Sequence, residues 1–228
     1  MKNINIIPRI IITLLFLVIA KTGFSQTAGP SDGTSAPPPT GTADKIICSS
    51  QNISLTGPQD VGGVDYPSYQ WYKLDASGTA HLTTTTTRTY TETPTTPGYY
   101  NYQLVTVNAN GCTSPMSDII KIYVLPPITA TISSNIANNT ICAQNEGSIL
   151  LTATPSNPTT YTYTYQWTRN GVNIAGATSN TYSLSETNSG SVTIGVVISY
   201  SLNGGCPGTA TQSVTVTPTP GKPTIVIN

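Results

Sequence analysis

The chain has 228 residues, of which only 8% are charged, and its formal net charge at pH 7 is zero. Because nucleic-acid binding needs clustered Lys and Arg, this composition excludes a nucleic-acid-binding protein. The 40 threonines, 19 glycines, 18 prolines and 13 tyrosines favour strands and turns over helices. The length suits one large domain or two small ones.

The first 25 residues are typical of an export signal. Lys2 and Arg9 form a short basic region, and the apolar run Ile10–Ala20 follows it. This run is shorter than the roughly 20 residues that a membrane-spanning helix needs, so we predict a cleaved signal peptide at residues 1–25. An uncleaved N-terminal anchor is the alternative. No other segment is apolar enough to span a membrane, so the mature protein is expected to be secreted or held at the cell surface.

Cleavage would remove three of the nine basic residues and leave six against nine acidic ones, a net charge of −3. A charge this small is too weak to steer a partner. Residues 26–43 follow and contain no large apolar side chain, so they cannot bury enough surface to offset the cost of ordering the backbone. We predict a flexible linker rich in Pro, Gly, Ser and Thr.

Residues 44–219 contain two copies of one sequence repeat. Cys48 and Cys112 are 64 residues apart, and so are Cys142 and Cys206. Between the cysteines of each copy the motifs Tyr-Gln-Trp, Thr-Tyr and Gly-Cys recur in the same order. Such a repeat predicts two domains of the same fold, at residues 44–126 and 127–219.

Apolar and polar residues alternate along several segments of both copies, which is typical of strands with one buried face. Examples are Ile53 with Leu55, Tyr100 with Tyr102 and Leu104, Ile120 with Ile122 and Val124, Ile149 with Leu151 and Ala153, and Val192 with Ile194, Val196 and Ile198. Short strands with turns between them predict an all-β protein made of two tandem β-sandwiches. The parity of Trp71 and Trp167 places both in the cores as anchors. Asn170-Gly171 predicts a two-residue hairpin.

Four features of each copy carry a family resemblance: a Cys before the second strand, Tyr-Gln-Trp on the third, an aromatic strand that follows a Gly, and a Gly-Cys turn. Together they resemble immunoglobulin-like repeats, and the related PKD-like repeats, of secreted and cell-surface proteins of Bacteroidetes-type bacteria. The resemblance covers residues 44–219. It implies an immunoglobulin-like fold and an extracellular setting, while such repeats serve both as spacers and as adhesive modules.

Four cysteines in an exported chain imply two disulfides. Equal spacing favours the within-unit bonds Cys48–Cys112 and Cys142–Cys206. In simple immunoglobulin topology, however, the two cysteines of one unit lie toward opposite ends of the sandwich. A bond between the domains, Cys48–Cys206, is therefore the alternative. A zinc site is disfavoured because no Cys-x-x-Cys pair exists and His81 is the only histidine.

Catalytic chemistry is not predicted. His81 stands alone in a Thr-rich segment, and the carboxylates are scattered over loops and linkers. Asp60 and Asp65 flank two glycines, but their loop lacks the dense oxygen ligands of a calcium site. We expect no enzyme, no cofactor and no metal.

A binding surface is a stronger candidate. The third, sixth and seventh strands of a sandwich share one sheet. A face with tyrosines, amides and a lysine suits a glycan or a protein partner, with an ordinary solvated sheet as the alternative. The outward parity of this sheet in domain 1 presents Gln70, Tyr72, Asn101, Gln103, Lys121 and Tyr123.

Residues 220–228 repeat the junction between the two units, where prolines precede a β-rich segment. Thr224-Ile225-Val226-Ile227 resembles the first strand of a third repeat, so the chain is expected to be a fragment of a longer array. A short C-terminal strand packed on domain 2 is the alternative. Further repeats of the same chain would then be its neighbours.

Three functions follow from these observations. A non-catalytic spacer or adhesion module is favoured, because the repeats, the Pro-rich junctions and the low charge all suit it. Recognition of a glycan or protein by the face of domain 1 is the first alternative. An accessory role in a larger secreted hydrolase is the second.

Overall fold

The computed structural model describes residues 29–33, 36–39, 41–144 and 147–227, and every regular element in these ranges is a strand. None of these residues builds a helix long and apolar enough to cross a bilayer. The predicted signal peptide and residues 26–28 of the predicted linker lie outside the described residues. The strands form two tandem immunoglobulin-like sandwiches, so the predicted fold class is confirmed.

Domain 1 consists of strands β1 to β7. Its larger sheet has the order β1-β7-β6-β3-β4 with β1 parallel to β7, and β2 and β5 form the opposing sheet. The strands are β1 (Lys45–Cys48), β2 (Ile53–Thr56), β3 (Ser68–Leu74), β4 (Ala80–Leu82), β5 (Thr89–Glu92), β6 (Gly98–Val107) and β7 (Ile120–Leu125).

Domain 2 consists of strands β8 to β15. Its larger sheet has the order β12-β11-β14-β15-β9 with β9 parallel to β15, and the opposing sheet has the order β13-β10-β8. The strands are β8 (Ala130–Ser134), β9 (Thr140–Cys142), β10 (Ile149–Pro155), β11 (Tyr163–Arg169), β12 (Val172–Asn173), β13 (Thr181–Leu184), β14 (Gly190–Tyr200) and β15 (Gly208–Thr217).

The two cores are built around equivalent tryptophans. Trp71 and Trp167 are buried, and each indole N–H donates to a backbone carbonyl, of Thr87 and Ser179 respectively. Trp71 packs 5.8 Å from the ring of Tyr90, and the equivalent pair in domain 2 is 5.7 Å apart. Burying the rings while pairing their N–H groups lets the aromatic surface stabilise the core without leaving a polar atom unbonded.

Strand parity is observed as predicted over most of the cores. The inward residues of β6, β10 and β14 are buried, whereas Ile120 at the start of β7 is 42% exposed. The two-residue turn between β11 and β12 is also present. Asn170 and Gly171 both have positive φ, at 50° and 82°, which is the requirement of a tight hairpin turn.

The described residues of the predicted flexible linker contact domain 1. Asp32 forms a β-bridge with Tyr99, and the buried Ser31 hydroxyl donates to the Leu74 carbonyl and accepts from the Asn101 N–H. They occupy the edge of β6 beyond the end of β3, where backbone groups would otherwise be unpaired. For these residues the expectation of a free spacer is wrong, because hydrogen bonds replace the apolar burial that the composition lacks.

The favoured cysteine pairing is wrong and the alternative is correct. Cys48 is bonded to Cys206 with a Cα–Cα distance of 5.4 Å, while Cys112 and Cys142 are free and exposed. The parallel pairing of β1 with β7 explains this result. It places Cys48 opposite Leu125, at the end of domain 1 that faces domain 2, whereas Cys112 follows β6 and lies at the other end.

Replacing Cys48 and Cys206 by serine should lower the free energy of unfolding by about 2–4 kcal/mol, because the bond closes a long loop of the unfolded chain. Urea unfolding followed by tryptophan fluorescence measures the change. The matched control, Cys112→Ser with Cys142→Ser, removes two exposed thiols and should change stability by less than about 0.5 kcal/mol. Recovery of a peptide that joins Cys48 to Cys112 from non-reduced protein would contradict this pairing.

Candidate functional site

The residues with catalytic or metal-binding potential have structural partners. His81 Nε2 lies 2.7 Å from Asp75 Oδ2, and Asp75 Oδ1 accepts hydrogen bonds from Ser77 and Thr79. The hydrogen bond from Ser77, followed by those from His81 and Thr79, holds the pKa of the Asp75 carboxyl well below its usual range. The Ser77 hydroxyl is bonded to Asp75 and not to His81, and a carboxylate with so low a pKa is a weak proton acceptor. Among the described residues, no three His, Cys, Asp or Glu side chains are grouped to hold a metal.

The loop with Asp60 and Asp65 is closed by its own carboxylates. Asp60 Oδ1 accepts the backbone N–H groups of Gly62 and Val64, and Asp65 Oδ1 accepts from the Gln59 amide. These oxygens shape the turn, in the way that Asp side chains mimic backbone hydrogen bonds.

An ion pair lies beside the tryptophan strand of each domain, and only the pair of domain 1 is buried on both sides. Lys73 Nζ is 2.5 Å from Glu92 Oε1 and 4.8 Å from the centre of the Tyr100 ring, and Tyr90 and Tyr102 both donate to Glu92 Oε2. Burial, and then the charge of Glu92, raise the pKa of Tyr102 far above its usual range. Arg169 and Glu186 occupy a similar position in domain 2, 2.7 Å apart. Lys73 and Glu92 neutralise each other inside domain 1, which is what a buried structural pair requires, whereas the Arg169 side chain is 48% exposed.

The predicted binding face of domain 1 is only partly accessible. Gln70, Tyr72 and Gln103 are half-buried, and Tyr72 lies opposite Gln103 across β3 and β6. Lys121 is exposed and lies opposite Asn101, whose backbone N–H is bonded to Ser31 of the N-terminal segment. The accessible part of this face is therefore centred on Tyr72 and Gln103.

Tyr123 does not belong to an exposed face. Its side chain has the predicted outward parity but is completely buried, because domain 2 covers it. Its hydroxyl donates to the Ala36 carbonyl and lies 2.7 Å from the Tyr161 hydroxyl. The prediction that Tyr123 contributes to a binding surface is wrong, and the residue contributes to the contact between the domains instead.

Five tyrosines meet at this contact, two from domain 1 and three from domain 2, and we call them the junction cluster; the hydrogen bond between the Tyr123 and Tyr161 hydroxyls joins the two groups. The Tyr99 and Tyr123 rings are 4.9 Å apart, the Tyr161 and Tyr200 rings 4.9 Å, and the Tyr163 and Tyr200 rings 5.2 Å. Leu125, Ile46 and Ile128 pack against the same rings. Aromatic pairs at these separations stabilise by about 0.5–1.5 kcal/mol each beyond their area burial.

Hydrogen bonds and the disulfide fix the same contact. The Tyr200 hydroxyl donates to the Pro126 carbonyl over 2.9 Å, and the Asn203 amide donates to the Ile46 carbonyl over 2.9 Å. Cys48–Cys206 adds a covalent link between β1 and the turn after β14. Pro126 and Pro127 lie in the short connection between the domains, where proline rings fix φ. The two domains are therefore held at one relative orientation.

Tyr161, Tyr163 and Tyr200 are not among the predicted site residues. The sequence signal for two of them is the alternating run from Tyr161 to Tyr165, which continues into the Trp167 strand. This run has the inward parity of Trp167, and parity shows which face of the sheet a residue occupies but not whether a second domain meets that face at the end of the strand.

No protein-family model and no curated protein matches this chain. It is similar to fibronectin(III)-like modules of Clostridium thermocellum CbhA, at 17% identity over 78% of this chain and 90% of that one, with a TM-score of 0.44. It is also similar to the PKD domain of human KIAA0319, at 23% identity over 43% of this chain and 89% of that one, with a TM-score of 0.32.

A third similar structure contains the four N-terminal Ig domains of Dscam1 isoform 7.44, at 16% identity over 81% of this chain and 46% of that one, with a TM-score of 0.31. The fold assignment rests on the strand order and register of the two domains.

The junction cluster should make stability fall at alkaline pH. Burial, and then the hydrogen bond to Tyr123, raise the pKa of Tyr161 above the value of about 10 that the unfolded chain has. The neutral phenol therefore contributes its full stability below pH 10, and this contribution is lost as the pH rises above 10. Tyr161→Phe removes one such group and should reduce the alkaline loss by up to about 1.4 kcal/mol per pH unit.

Urea midpoints between pH 8 and pH 11 measure this difference. Cys112→Ser with Cys142→Ser is the parent background, because exposed thiolates would otherwise attack the disulfide at high pH. A parent and a Tyr161→Phe variant with identical alkaline slopes would show that the phenol of Tyr161 ionises equally in the folded and unfolded protein.

Proposed function

We propose that the protein is a non-catalytic extracellular spacer or adhesion module of Bacteroidetes-type bacteria, in which two immunoglobulin-like domains form one stiff unit. The observation that carries this proposal is the fixed contact between the domains. A disulfide, the junction cluster and the hydrogen bonds of Tyr200 and Asn203 all cross it. Domains joined by a mobile linker usually reorient freely. A contact fixed by this many interactions therefore suits a protein that has to keep a defined length and direction.

The composition supports an exposed setting. Charged side chains are few, Thr and Ser are frequent on the outer faces of the strands, and the buried Lys73 is already paired with Glu92. A disulfide between domains persists only in an oxidising compartment, which agrees with export. An accessory role in a larger secreted hydrolase is compatible with the same rigid spacing and would need a catalytic partner domain.

The chain offers its own probes for testing rigidity, because Cys112 and Cys142 are exposed free thiols in different domains. Fluorophores attached to both should give a single narrow distance distribution by single-molecule energy transfer. Cys48→Ser with Cys206→Ser should broaden the distribution, since it removes the covalent link while leaving both labelling sites intact. A broad distribution in the unaltered protein would contradict the rigid spacer.

Recognition is the second candidate, and one observation favours it: Tyr72 and Gln103 lie directly opposite each other on an accessible part of domain 1, with Gln70 beside them. A half-exposed ring next to two amides suits the stacking and hydrogen bonding of a glycan or a polar protein surface.

If this surface binds, Tyr72→Ala should weaken binding to immobilised cell-surface glycans at least tenfold in a glycan-array or interferometry assay. The control is Tyr165→Ala, which removes a half-buried tyrosine of domain 2 outside this surface. Equal loss in both variants, or no binding by the unaltered protein, would leave the spacer as the function.

A further inference from the structure

The two domains differ in one strand. In domain 2, β10 pairs with β13 on one side and with β8 on the other. The equivalent strand of domain 1 is β2, since Leu55 pairs with Tyr90 as Leu151 pairs with Tyr182. Among the described residues β2 pairs only with β5, so the position that β8 takes in domain 2 is open in domain 1.

The open position borders the apolar core. A cleft of about 270 Å³ enters domain 1 between β2 and the start of β7, and Trp71, Leu104 and Ile120 line it together with Leu55. Leu55 is half-buried, whereas the equivalent Leu151 is completely buried in domain 2. Met116 and Ile119, which lead into β7, are 45% and 39% exposed. An opening of this kind is typical of a site that another apolar segment covers.

The backbone of β2 offers a short pairing edge. The Gly57 N–H donates to Arg88 on the β5 side, as the equivalent Ala153 N–H donates to Asn180 on the β13 side. Because N–H groups alternate along a strand, those of Ser54 and Thr56 face the open edge. Pro58 ends the edge, as its nitrogen has no hydrogen to donate. The site therefore accepts a strand of about four residues.

A second apolar segment, residues 223–227, pairs with no strand in the part of the chain that the structure describes. Residues 223–227 follow the proline-rich stretch after β15, as β8 follows Pro126 and Pro127. Ile225, Val226 and Ile227 are 91%, 76% and 95% exposed. A run of β-branched apolar residues at this exposure is a strong candidate for pairing with an open sheet edge.

This segment cannot reach domain 1 of its own chain. β15 starts at Gly208, next to the junction residue Ile128, and its 10 residues carry the chain about 30 Å away from domain 1. The six residues between Thr217 and Thr224 span at most about 25 Å. Pairing with β2 therefore requires a second copy of the chain.

We propose that residues 223–227 of one copy add as an antiparallel strand to β2 of a second copy and close its cleft, with Ile225 and Ile227 covering Trp71 and Leu104. In this arrangement the added strand enters at the end of domain 1 that is remote from domain 2. Domain 2 of each copy is then followed by domain 1 of the next, so the contact is head-to-tail and builds an open-ended fibre. This inference goes beyond the spacer role and stands on the open edge of β2.

Sedimentation of the purified exported protein over a range of concentrations tests the assembly. The unaltered protein should form species of increasing mass, whereas Ile225→Asp with Ile227→Asp should sediment as a single copy. The matched control, Pro218→Asp with Gly221→Asp, adds the same charge in the exposed linker and should assemble normally. If the unaltered protein sediments as a monomer at every concentration, the proposal is overturned.

The acceptor edge has its own test. Ser54→Pro removes an N–H that faces the open edge and leaves the pairing with β5 in place, while Ser54→Ala keeps the N–H. The proline variant should remain a single copy and the alanine variant should assemble. Assembly of both would show that the contact uses another surface.

A peptide that matches residues 220–228 provides a direct measurement. Added to the Ile225→Asp, Ile227→Asp protein in a Trp167→Phe background, it should shift the fluorescence of Trp71, which lines the cleft. The same peptide with both isoleucines replaced by aspartate should not. Peptide binding that appears only after the residues before Gly29 are removed from the exported protein would assign the cleft to the N-terminus of the same chain and overturn the proposal. The distance between labels on Cys112 and Cys142 of one copy should be the same whether or not the peptide binds. Failure of the strand-addition proposal can therefore be told apart from failure of the spacer role.

Discussion

The contact between the domains depends on where β1 ends. Parallel pairing with β7 carries the chain to the end of domain 1 that faces domain 2, and this places Cys48 within bonding distance of Cys206. The same pairing sets Ile46 beside Tyr123, so that both face the tyrosines of domain 2. A bond within each unit would have stabilised two separate domains. The bond between units stabilises their relative orientation, and the buried tyrosines contribute only because that orientation is fixed.

The two domains share the surroundings of their core tryptophan, although tyrosines fill much of the domain 1 core and aliphatic side chains fill that of domain 2. Trp71 and Trp167 each donate to a backbone carbonyl, pack against a tyrosine ring and lie two residues before a cation that is paired with a glutamate. These shared features are local to β3, β5 and β6 or their equivalents. Within the ranges that the structure describes, the first strand of the small sheet is found in domain 2 alone, where it follows the prolines of the junction. The two units are therefore alike around the tryptophan and differ at one edge of the small sheet.

The sequence was sufficient to predict what depends on local pattern. Alternation identified the strands and the inward faces, and Asn170-Gly171 identified a hairpin. The sequence was insufficient to predict features that depend on which part of the molecule packs against a given surface. Tyr123 has the predicted parity but faces a second domain, and equal cysteine spacing reflects the repeat and not the distance between sulfurs. Ser31 shows the same limit, because its burial comes from hydrogen bonds to β6 that composition does not reveal.

The free edge of β2 and the exposed segment at residues 223–227 have one physical origin. In a tandem array, the first strand of each small sheet comes from the connection that precedes the domain, as β8 follows the junction in domain 2. The described residues that precede domain 1 run instead along β6 and leave β2 unpaired. Among the described residues domain 1 leaves this position unpaired, and residues 223–227 after domain 2 have the pattern of the strand that would fill it. Natural proteins usually protect an exposed edge with charge or an early proline, and here only Pro58 limits it. The edge is therefore short, which favours one defined register over indiscriminate aggregation.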